Sequence, residues 1–88
     1  MRLLLTRPRI DAETLDNLLK KIGIQSVIEP LLSINVFDGP ELDCDDVAAL
    51  AITSVNGVRA FAKRSQKRSI PLFAVGDSTA RAAKRHGF

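Results

Sequence analysis

Two short segments of the chain place hydroxyl side chains and a glycine directly after an apolar run. One covers residues 53–57 and the other residues 76–79. Hydroxyl groups and the backbone N–H groups at a helix start donate hydrogen bonds to carboxylate or phosphate oxygens. The candidate donors are Thr53, Ser54, Ser78 and Thr79, and Gly57 and Gly76 would let a ligand approach the backbone. Because neither segment has the glycine spacing of a phosphate loop or a dinucleotide fingerprint, we predict anion binding without a nucleotide motif.

A purely structural interpretation of the same residues is also open, because Ser and Thr favour helix N-caps in any protein. The other reactive side chains add little. His86 is the only histidine and lies where a helix should end, which favours a capping or surface position. Cys44, the single cysteine, lies between two aspartates and is interpreted as an ordinary loop cysteine. No metal-ligand cluster or catalytic triad is visible, so we predict no metal.

The charges are unevenly distributed. Residues 1–50 hold five Lys or Arg against nine Asp or Glu, a net charge of −4, whereas residues 51–88 hold eight against one, a net charge of +7. A basic half favours an acidic partner such as nucleic acid, a phosphate or a polycarboxylate, although solvated helix faces would look the same. Nucleic acid is disfavoured, because the chain has no Trp or Tyr and its four Phe are scattered.

The N-terminus carries only three consecutive leucines before charge returns at Arg7. A signal peptide needs about 7 to 15 apolar residues and a membrane helix about 20. We therefore expect a soluble, cytoplasmic protein without a membrane partner.

The elements that position these residues begin with a strand at residues 3–5. A helix is predicted over residues 11–22, with Asp11 as its N-cap and Gly23 as its left-handed terminator. The apolar stripe of this helix is formed by Leu15, Leu18, Leu19 and Ile22. A second strand follows at residues 26–30, and alternation over residues 31–36 favours a further extended stretch.

A turn or linker at residues 38–40 and an exposed acidic stretch to Asp46 come next. Apolar runs predict strands at residues 47–52 and 70–75, covered on both faces. Helices are predicted at residues 55–64 and 78–86, the second ending at Gly87. The order is β-α-β, a linker, then β-α-β-α, which indicates the α/β class with a parallel sheet and flanking helices. The sheet is incomplete, since the chain stops where another strand should begin, so we expect a truncated domain.

Four segments, in this order and spacing, resemble uroporphyrinogen-III synthases. They are the opening strand and loop Leu3–Pro8, the segment Glu29–Ile34, the strand–Thr-Ser–Asn–helix segment Ala51–Phe61, and the Val-Gly-x-x-Thr-Ala segment Val75–Ala80. The resemblance covers nearly all of this chain but only the first part of a family member.

The resemblance implies two flavodoxin-like domains. Residues 1–36 would be the N-terminal β-α-β of the first domain, and residues 37–88 would begin the second. Alternatively, the four strands could form one hybrid sheet of order 2-1-3-4. Exposed sheet edges would then favour a dimer or domain swapping.

The resemblance also implies a substrate and a reaction. The substrate is hydroxymethylbilane, a linear tetrapyrrole with acetate and propionate side chains. A lyase of heme and porphyrin biosynthesis closes it to uroporphyrinogen III, with inversion of the D ring, loss of water and no cofactor. The active site would lie in a cleft between the two domains. Its second-domain side would be lined by Thr53, Ser54, Asn56, Gly57, Gly76, Ser78 and Thr79. Thr6, Arg7 and Pro8 would face it from the first domain, and no proton-transfer residue is assigned.

Two other functions stay open. The chain could be a non-catalytic α/β ligand-binding or regulatory module for an anionic partner. It could also bind nucleic acid through the basic clusters at residues 59–68 and 81–85. If it is the N-terminal part of the synthase, we expect it to be inactive on its own.

Overall fold

Four short strands alternate with three helices along the chain. The computed structural model describes residues 1–88. Its elements are β1 (Arg2–Leu5), α1 (Arg9–Lys21), β2 (Gln25–Ile28), β3 (Leu50–Ile52), α2 (Val55–Arg64), β4 (Leu72–Ala74) and α3 (Asp77–Arg85). The predicted α/β class, with incomplete parallel sheets and flanking helices, is confirmed.

The strands pair in parallel within two separate sheets. β1 lies beside β2, with Leu5 opposite Ile28, and β3 lies beside β4, with Ile52 opposite Ala74. Each sheet has two strands, and the alternative of one hybrid sheet of order 2-1-3-4 stays a prediction. The chain divides into two compact units, unit 1 (Met1–Asn35) and unit 2 (Val36–Phe88).

In unit 1, α1 starts two residues earlier than predicted. Pro8 is its N-cap, and the Pro8 carbonyl accepts the Ala12 N–H at 2.9 Å. Asp11 is therefore not the cap; it lies in the first turn, where a negative charge complements the helix dipole. The predicted termination at Gly23 is confirmed by its positive φ of 77°. The next N–H, that of Ile24, reaches back to Leu19 as in a Schellman motif.

The covered face of α1 differs from the predicted stripe. Ala12 is fully buried, but Leu18 is 55% exposed and Ile22 is 71% exposed. The face that packs on the sheet instead contains Ala12 and Asp16, with Leu15 and Leu19 half-buried at its sides. A sheet of only two strands covers a narrow stripe of a helix, so the outer members of the apolar stripe stay in solvent.

In unit 2, the core lies between the helices and one face of the β3–β4 sheet. Val58 of α2 is fully buried against Ala82 and Ala83 of α3. Ile52 and Leu72 from the two strands pack on this cluster. The small alanines allow α3 to lie close to its neighbours.

The chain folds back on this core after α3, and the predicted helix end at Gly87 is confirmed. Gly87 has a φ of 97°, and the Phe88 N–H bonds to the Ala83 carbonyl at 3.0 Å. The Phe88 ring then packs on the core, 5.8 Å from the Phe61 ring centroid.

Both strands of unit 2 are shorter than predicted, and the expected cover on both faces is wrong. Phe73 on the face opposite the helices is 68% exposed. Residues 47–49, 70–71 and 75 lie outside the strands, and residues 31–36 form no strand. Both helices of unit 2 pack on the same face, which leaves the other face of the sheet uncovered.

Asp16 is the charged side chain that unit 1 buries, at 8% exposure. Its carboxylate accepts a hydrogen bond from the Ser26 hydroxyl of β2 and pairs with the Lys20 ammonium at 2.8 Å. The Lys20 and Ser26 hydrogen bonds hold the pKa of Asp16 below its ordinary value of 3.8. The charged carboxylate thus ties α1 to β2.

The lowered pKa of Asp16 predicts a pH dependence of stability. A carboxyl whose folded pKa lies below its unfolded pKa stabilises the fold above the unfolded value, and this stabilisation is lost as pH falls through the folded value. We expect the urea midpoint of the wild type to fall below about pH 4. Asp16→Asn should lower the midpoint at pH 7 and flatten this dependence.

The matched control for that prediction is Asp46→Asn, which changes an exposed carboxylate of the acidic segment. The urea midpoint of Asp16→Asn could fall below pH 4 as steeply as that of the wild type. This result would show that the carboxylate does not link α1 to β2.

Candidate functional site

The carboxyl ends of β3 and β4 lie side by side. The Val75 N–H donates to the Ile52 carbonyl at 3.1 Å, which extends the parallel ladder one residue beyond β4. The segments that follow each strand, beginning at Thr53 and at Gly76, therefore start at the same edge of the sheet. We call this surface the strand-end edge; its residues are Thr53, Ser54, Asn56, Gly76, Asp77 and Ser78.

The first junction is a capped helix start. Ser54 is the N-cap of α2 with extended backbone, φ −149° and ψ 154°, and its Oγ accepts the Gly57 N–H at 2.9 Å. Thr53 and Ser54 are both exposed. A hydroxyl that accepts one hydrogen bond can still donate its own proton. Both hydroxyls can therefore donate to an anion at this junction.

The second junction has no side-chain cap. Gly76 is the N-cap of α3, with φ 86° and ψ 151°, and no side chain caps the first-turn N–H groups. Ser78 is exposed, whereas Thr79 is 4% exposed and lies on the core face of α3. Of the two predicted hydroxyls, the structure thus presents that of Ser78 at the surface and buries that of Thr79.

The two predicted glycines differ in what they do. A Cβ on Gly57 would lie 3.0 Å from Ile52 Cγ2 and 3.2 Å from Ser54 Oγ, so this glycine allows close packing of α2 on the end of β3. A Cβ on Gly76 would meet nothing within 4 Å. Gly76 is instead required by its backbone conformation, which only glycine adopts readily.

An arginine side chain lies at each of the two junctions. Arg59 Nη1 donates to Asn56 Oδ1 at 3.0 Å, and Arg81 Nη2 donates to Ser78 Oγ at 3.2 Å. Each pair occupies the second and fifth residues of its helix, so the two junctions repeat one arrangement. Neither arginine is among the predicted site residues, although the shared polar-x-x-Arg spacing was a usable signal. The guanidinium groups add positive charge beside both helix starts.

Lysines in the last turn of α2 and just after this helix form ion pairs within unit 2. The Lys63 ammonium pairs with Asp38 at 3.0 Å, and the Lys67 ammonium pairs with Asp45 at 3.2 Å. The acidic segment at residues 38–46 thus neutralises part of the basic cluster at residues 59–68. This contact reduces the positive surface that nucleic-acid binding would use.

In unit 1, the predicted loop follows β1 at the carboxyl end of its own sheet. The Glu29 N–H donates to the Leu5 carbonyl at 2.9 Å, which extends the ladder beyond β2, and the Leu31 N–H donates to the Thr6 carbonyl at 3.1 Å. Thr6 and Arg7 are exposed, while Pro8 is half-buried as the N-cap of α1. Thr6 and Arg7 therefore provide a hydroxyl and a cation at this sheet end.

The remaining reactive groups lie elsewhere. His86 is the C-cap of α3, as expected for a capping position, and its carbonyl accepts from Arg68 Nε at 2.6 Å. Cys44 lies in the acidic segment but is 6% exposed. No group of three or more His, Cys, Asp or Glu is placed to hold a metal ion.

None of the three helices has the length and apolar character needed to cross a membrane. The arrangement at the strand-end edge offers hydrogen-bond donors and positive charge for anions.

Most of the chain matches the model of a known protein family. The family model described as uroporphyrinogen-III synthase HemD matches residues 13–88. The matched range includes both junctions of the strand-end edge and begins after the Thr6–Pro8 loop. No curated protein matches the chain.

The conformation of Gly76 predicts a specific sensitivity. Gly76→Ala puts a Cβ on a residue with φ 86° and ψ 151° and should cost about 1 to 3 kcal/mol of folding free energy. Chemical denaturation followed by circular dichroism would measure this loss. Val75→Ala, a change at the adjacent exposed residue, should shift the midpoint far less. Equal midpoints for Gly76→Ala and the wild type would mean that α3 can start without this backbone conformation.

Proposed function

Since this chain belongs to the uroporphyrinogen-III synthase family, we propose that its strand-end edge binds the carboxylates of hydroxymethylbilane. The family is one of lyases in porphyrin biosynthesis. The proposed reaction is the closure of hydroxymethylbilane to uroporphyrinogen III, with inversion of the D ring and loss of water. A cytoplasmic location suits such a biosynthetic enzyme.

The observation that carries this proposal is the hydrogen bond between Val75 and Ile52, which places both helix starts at one sheet edge. The acetate and propionate groups of the bilane are anions spaced along one flexible molecule. An edge with several separate donors suits a polycarboxylate better than a single phosphate. Thr53, Ser54 and Ser78 supply hydroxyls, and the first turn of α3 supplies N–H groups.

Charge supports the same ligand class. The Arg81 guanidinium donates a hydrogen bond to Ser78 Oγ. A carboxylate that accepts a hydrogen bond from this hydroxyl would therefore also approach the guanidinium. Asp77 disfavours carboxylate binding, because its own exposed carboxylate lies in the first turn of α3 and repels other anions. We assign Gly57 and Thr79 to packing rather than to substrate contact, since Gly57 lies close against Ile52 and Thr79 is buried.

The proposed contribution to the reaction is positioning. Ring closure joins the two ends of one linear molecule, so holding its carboxylates restricts it to conformations in which the ends approach. Fixed donors also stabilise charge without reorganising during the reaction. We propose that Thr6 and Arg7 of unit 1 make further carboxylate contacts and that Pro8 sets the start of α1 behind them. No residue is assigned to proton transfer.

Equilibrium binding of a linear bilane tests this proposal. The ligand would carry the acetate and propionate groups but lack the terminal hydroxyl, so that it cannot cyclise. A hydrogen bond to a charged group contributes about 1.5 to 3 kcal/mol. Thr53→Ala and Ser78→Ala should therefore each weaken binding about tenfold or more in isothermal calorimetry. Asp77→Asn should strengthen binding, because it removes a repelling charge.

Ser69→Ala is the matched control, since Ser69 is exposed but lies before β4, away from the strand-end edge. Its affinity should equal that of the wild type. Absence of bilane binding, or equal losses in Ser69→Ala and Ser78→Ala, would contradict the proposed site.

A coupled assay addresses the reaction itself. Hydroxymethylbilane is generated in the presence of the chain, and the uroporphyrin I and III isomers are separated after oxidation. Type III product above the blank would assign the full reaction to this chain. Type I product alone, together with tight bilane binding, would restrict its function to substrate binding.

A further inference from the structure

The hydroxyl group of Ser78 has a hydrogen-bond partner on its own helix. Arg81 Nη2 donates to Ser78 Oγ at 3.2 Å, and the two are the fifth and second residues of α3. A serine hydroxyl has one proton to donate and two lone pairs that accept, and on its own it rotates to suit either kind of partner. A guanidinium group has only N–H donors and no acceptor. The bond between Ser78 and Arg81 can therefore form in one direction only.

This direction decides where the proton of Ser78 points. Because Oγ accepts from Arg81, the hydroxyl proton does not lie along that bond and is directed to another side of the oxygen. A hydrogen bond from a charged group also polarises the hydroxyl and strengthens the bond that its proton makes. Ser78 is thus biased to donate, and a partner that only accepts suits it best. Both oxygens of an ionised carboxylate are of this kind.

Arg81 donates to this hydroxyl although a carboxylate lies nearby in the sequence. Asp77 is four residues before Arg81, a spacing at which opposite charges on a helix pair readily. The guanidinium nevertheless contacts Ser78, the residue three positions before it. The positive charge of Arg81 therefore lies next to a hydroxyl of the strand-end edge.

The first junction repeats this arrangement with an amide in place of the hydroxyl. Arg59 Nη1 donates to Asn56 Oδ1 at 3.0 Å. An asparagine side chain has an oxygen that accepts and a nitrogen that donates, and a rotation of the amide exchanges their places. The bond from Arg59 selects the orientation in which the oxygen faces the arginine. At both junctions an arginine thus engages the accepting atom of the polar side chain three residues before it.

We propose that Arg81 is a positioning residue that makes the strand-end edge selective for ionised carboxylates. It acts through Ser78, by holding the hydroxyl as a donor, in addition to the attraction of its own charge. The proposal rests on the carboxylate binding proposed above and adds which form of the acetate and propionate groups is recognised. A neutral amide would be disfavoured, because its N–H groups would meet the Ser78 proton or the guanidinium.

Attraction by charge alone would produce a different pattern of affinities. A guanidinium that attracts the carboxylate independently of the hydroxyl contributes the same factor to affinity whether or not Ser78 is present. An arginine that acts through Ser78 loses most of its contribution when the hydroxyl is removed. A double-mutant cycle separates these two mechanisms.

The first experiment uses the ligand-free chain. NMR relaxation of the arginine Nε–Hε groups measures how ordered each side chain is. We expect Arg81 to be more ordered than Arg85, which is exposed in the last turn of the same helix. Ser78→Ala should lower the order of Arg81 to that of Arg85. Equal order of the two arginines in the wild type would overturn the proposal, whether or not the chain binds a bilane.

The second experiment is the cycle itself, measured by isothermal calorimetry with the non-cyclising bilane. Arg81→Met should weaken binding about tenfold in the wild-type background and less than about threefold in the Ser78→Ala background. The wild type should bind the same bilane with amides in place of its carboxylates at least about tenfold more weakly. Arg81→Met should reduce this difference.

Arg85→Met is the matched control, because it removes one positive charge from the same helix. Its effect on bilane affinity should be small and equal in the two backgrounds. Circular dichroism would establish that all variants are folded.

The outcomes separate this proposal from the proposed function. If Arg81→Met weakened binding equally in both backgrounds, or no more than Arg85→Met does, the positioning role would be wrong while bilane binding would stand. If the wild type failed to bind the bilane, both the proposed function and the selectivity assigned to Arg81 would be overturned.

Discussion

The hydrogen bond between the Val75 N–H and the Ile52 carbonyl determines where the chemistry of unit 2 can lie. It extends the parallel β3–β4 ladder beyond β4 and starts two helices at one edge, at Ser54 and Gly76. A shift of one residue in this register would move the alternate side chains to the opposite face. Ile52 would then leave the core around Val58, so packing and site geometry depend on the same register.

Local patterns predicted the features that depend on neighbouring residues alone. The strand–helix alternation and the terminating glycines Gly23 and Gly87 are confirmed, because a positive φ at a helix end is a local demand. The covered faces depend on tertiary contacts. Sequence spacing predicted that Leu18 is buried, but the narrow sheet of unit 1 leaves it exposed. Thr79 was predicted to contact a ligand, but the packing of α3 buries it.

Charge shows the same limit of sequence reasoning. The net charge of +7 over residues 51–88 favoured an acidic partner, with solvated helix faces as the alternative. The structure divides these charges among three environments. The end of α2 pairs with the acidic segment, for example through Lys63 and Asp38. Arg81 lies beside the start of α3, and Lys84 is exposed in the last turn of the same helix. The first pairing joins residues 25 positions apart, which no local pattern reveals.

Two-dimensional NMR of the isotope-labelled chain tests the central claim most directly, that carboxylates bind where the strands of unit 2 end. The non-cyclising bilane would be titrated into the chain, and the shift of every backbone amide would be followed. We predict saturable shifts concentrated at residues 53–56 and 76–78, with residues 68–72 at the opposite end of β4 unchanged. Shifts confined to the basic residues 63–68, or spread evenly over the exposed lysines and arginines, would contradict the claim.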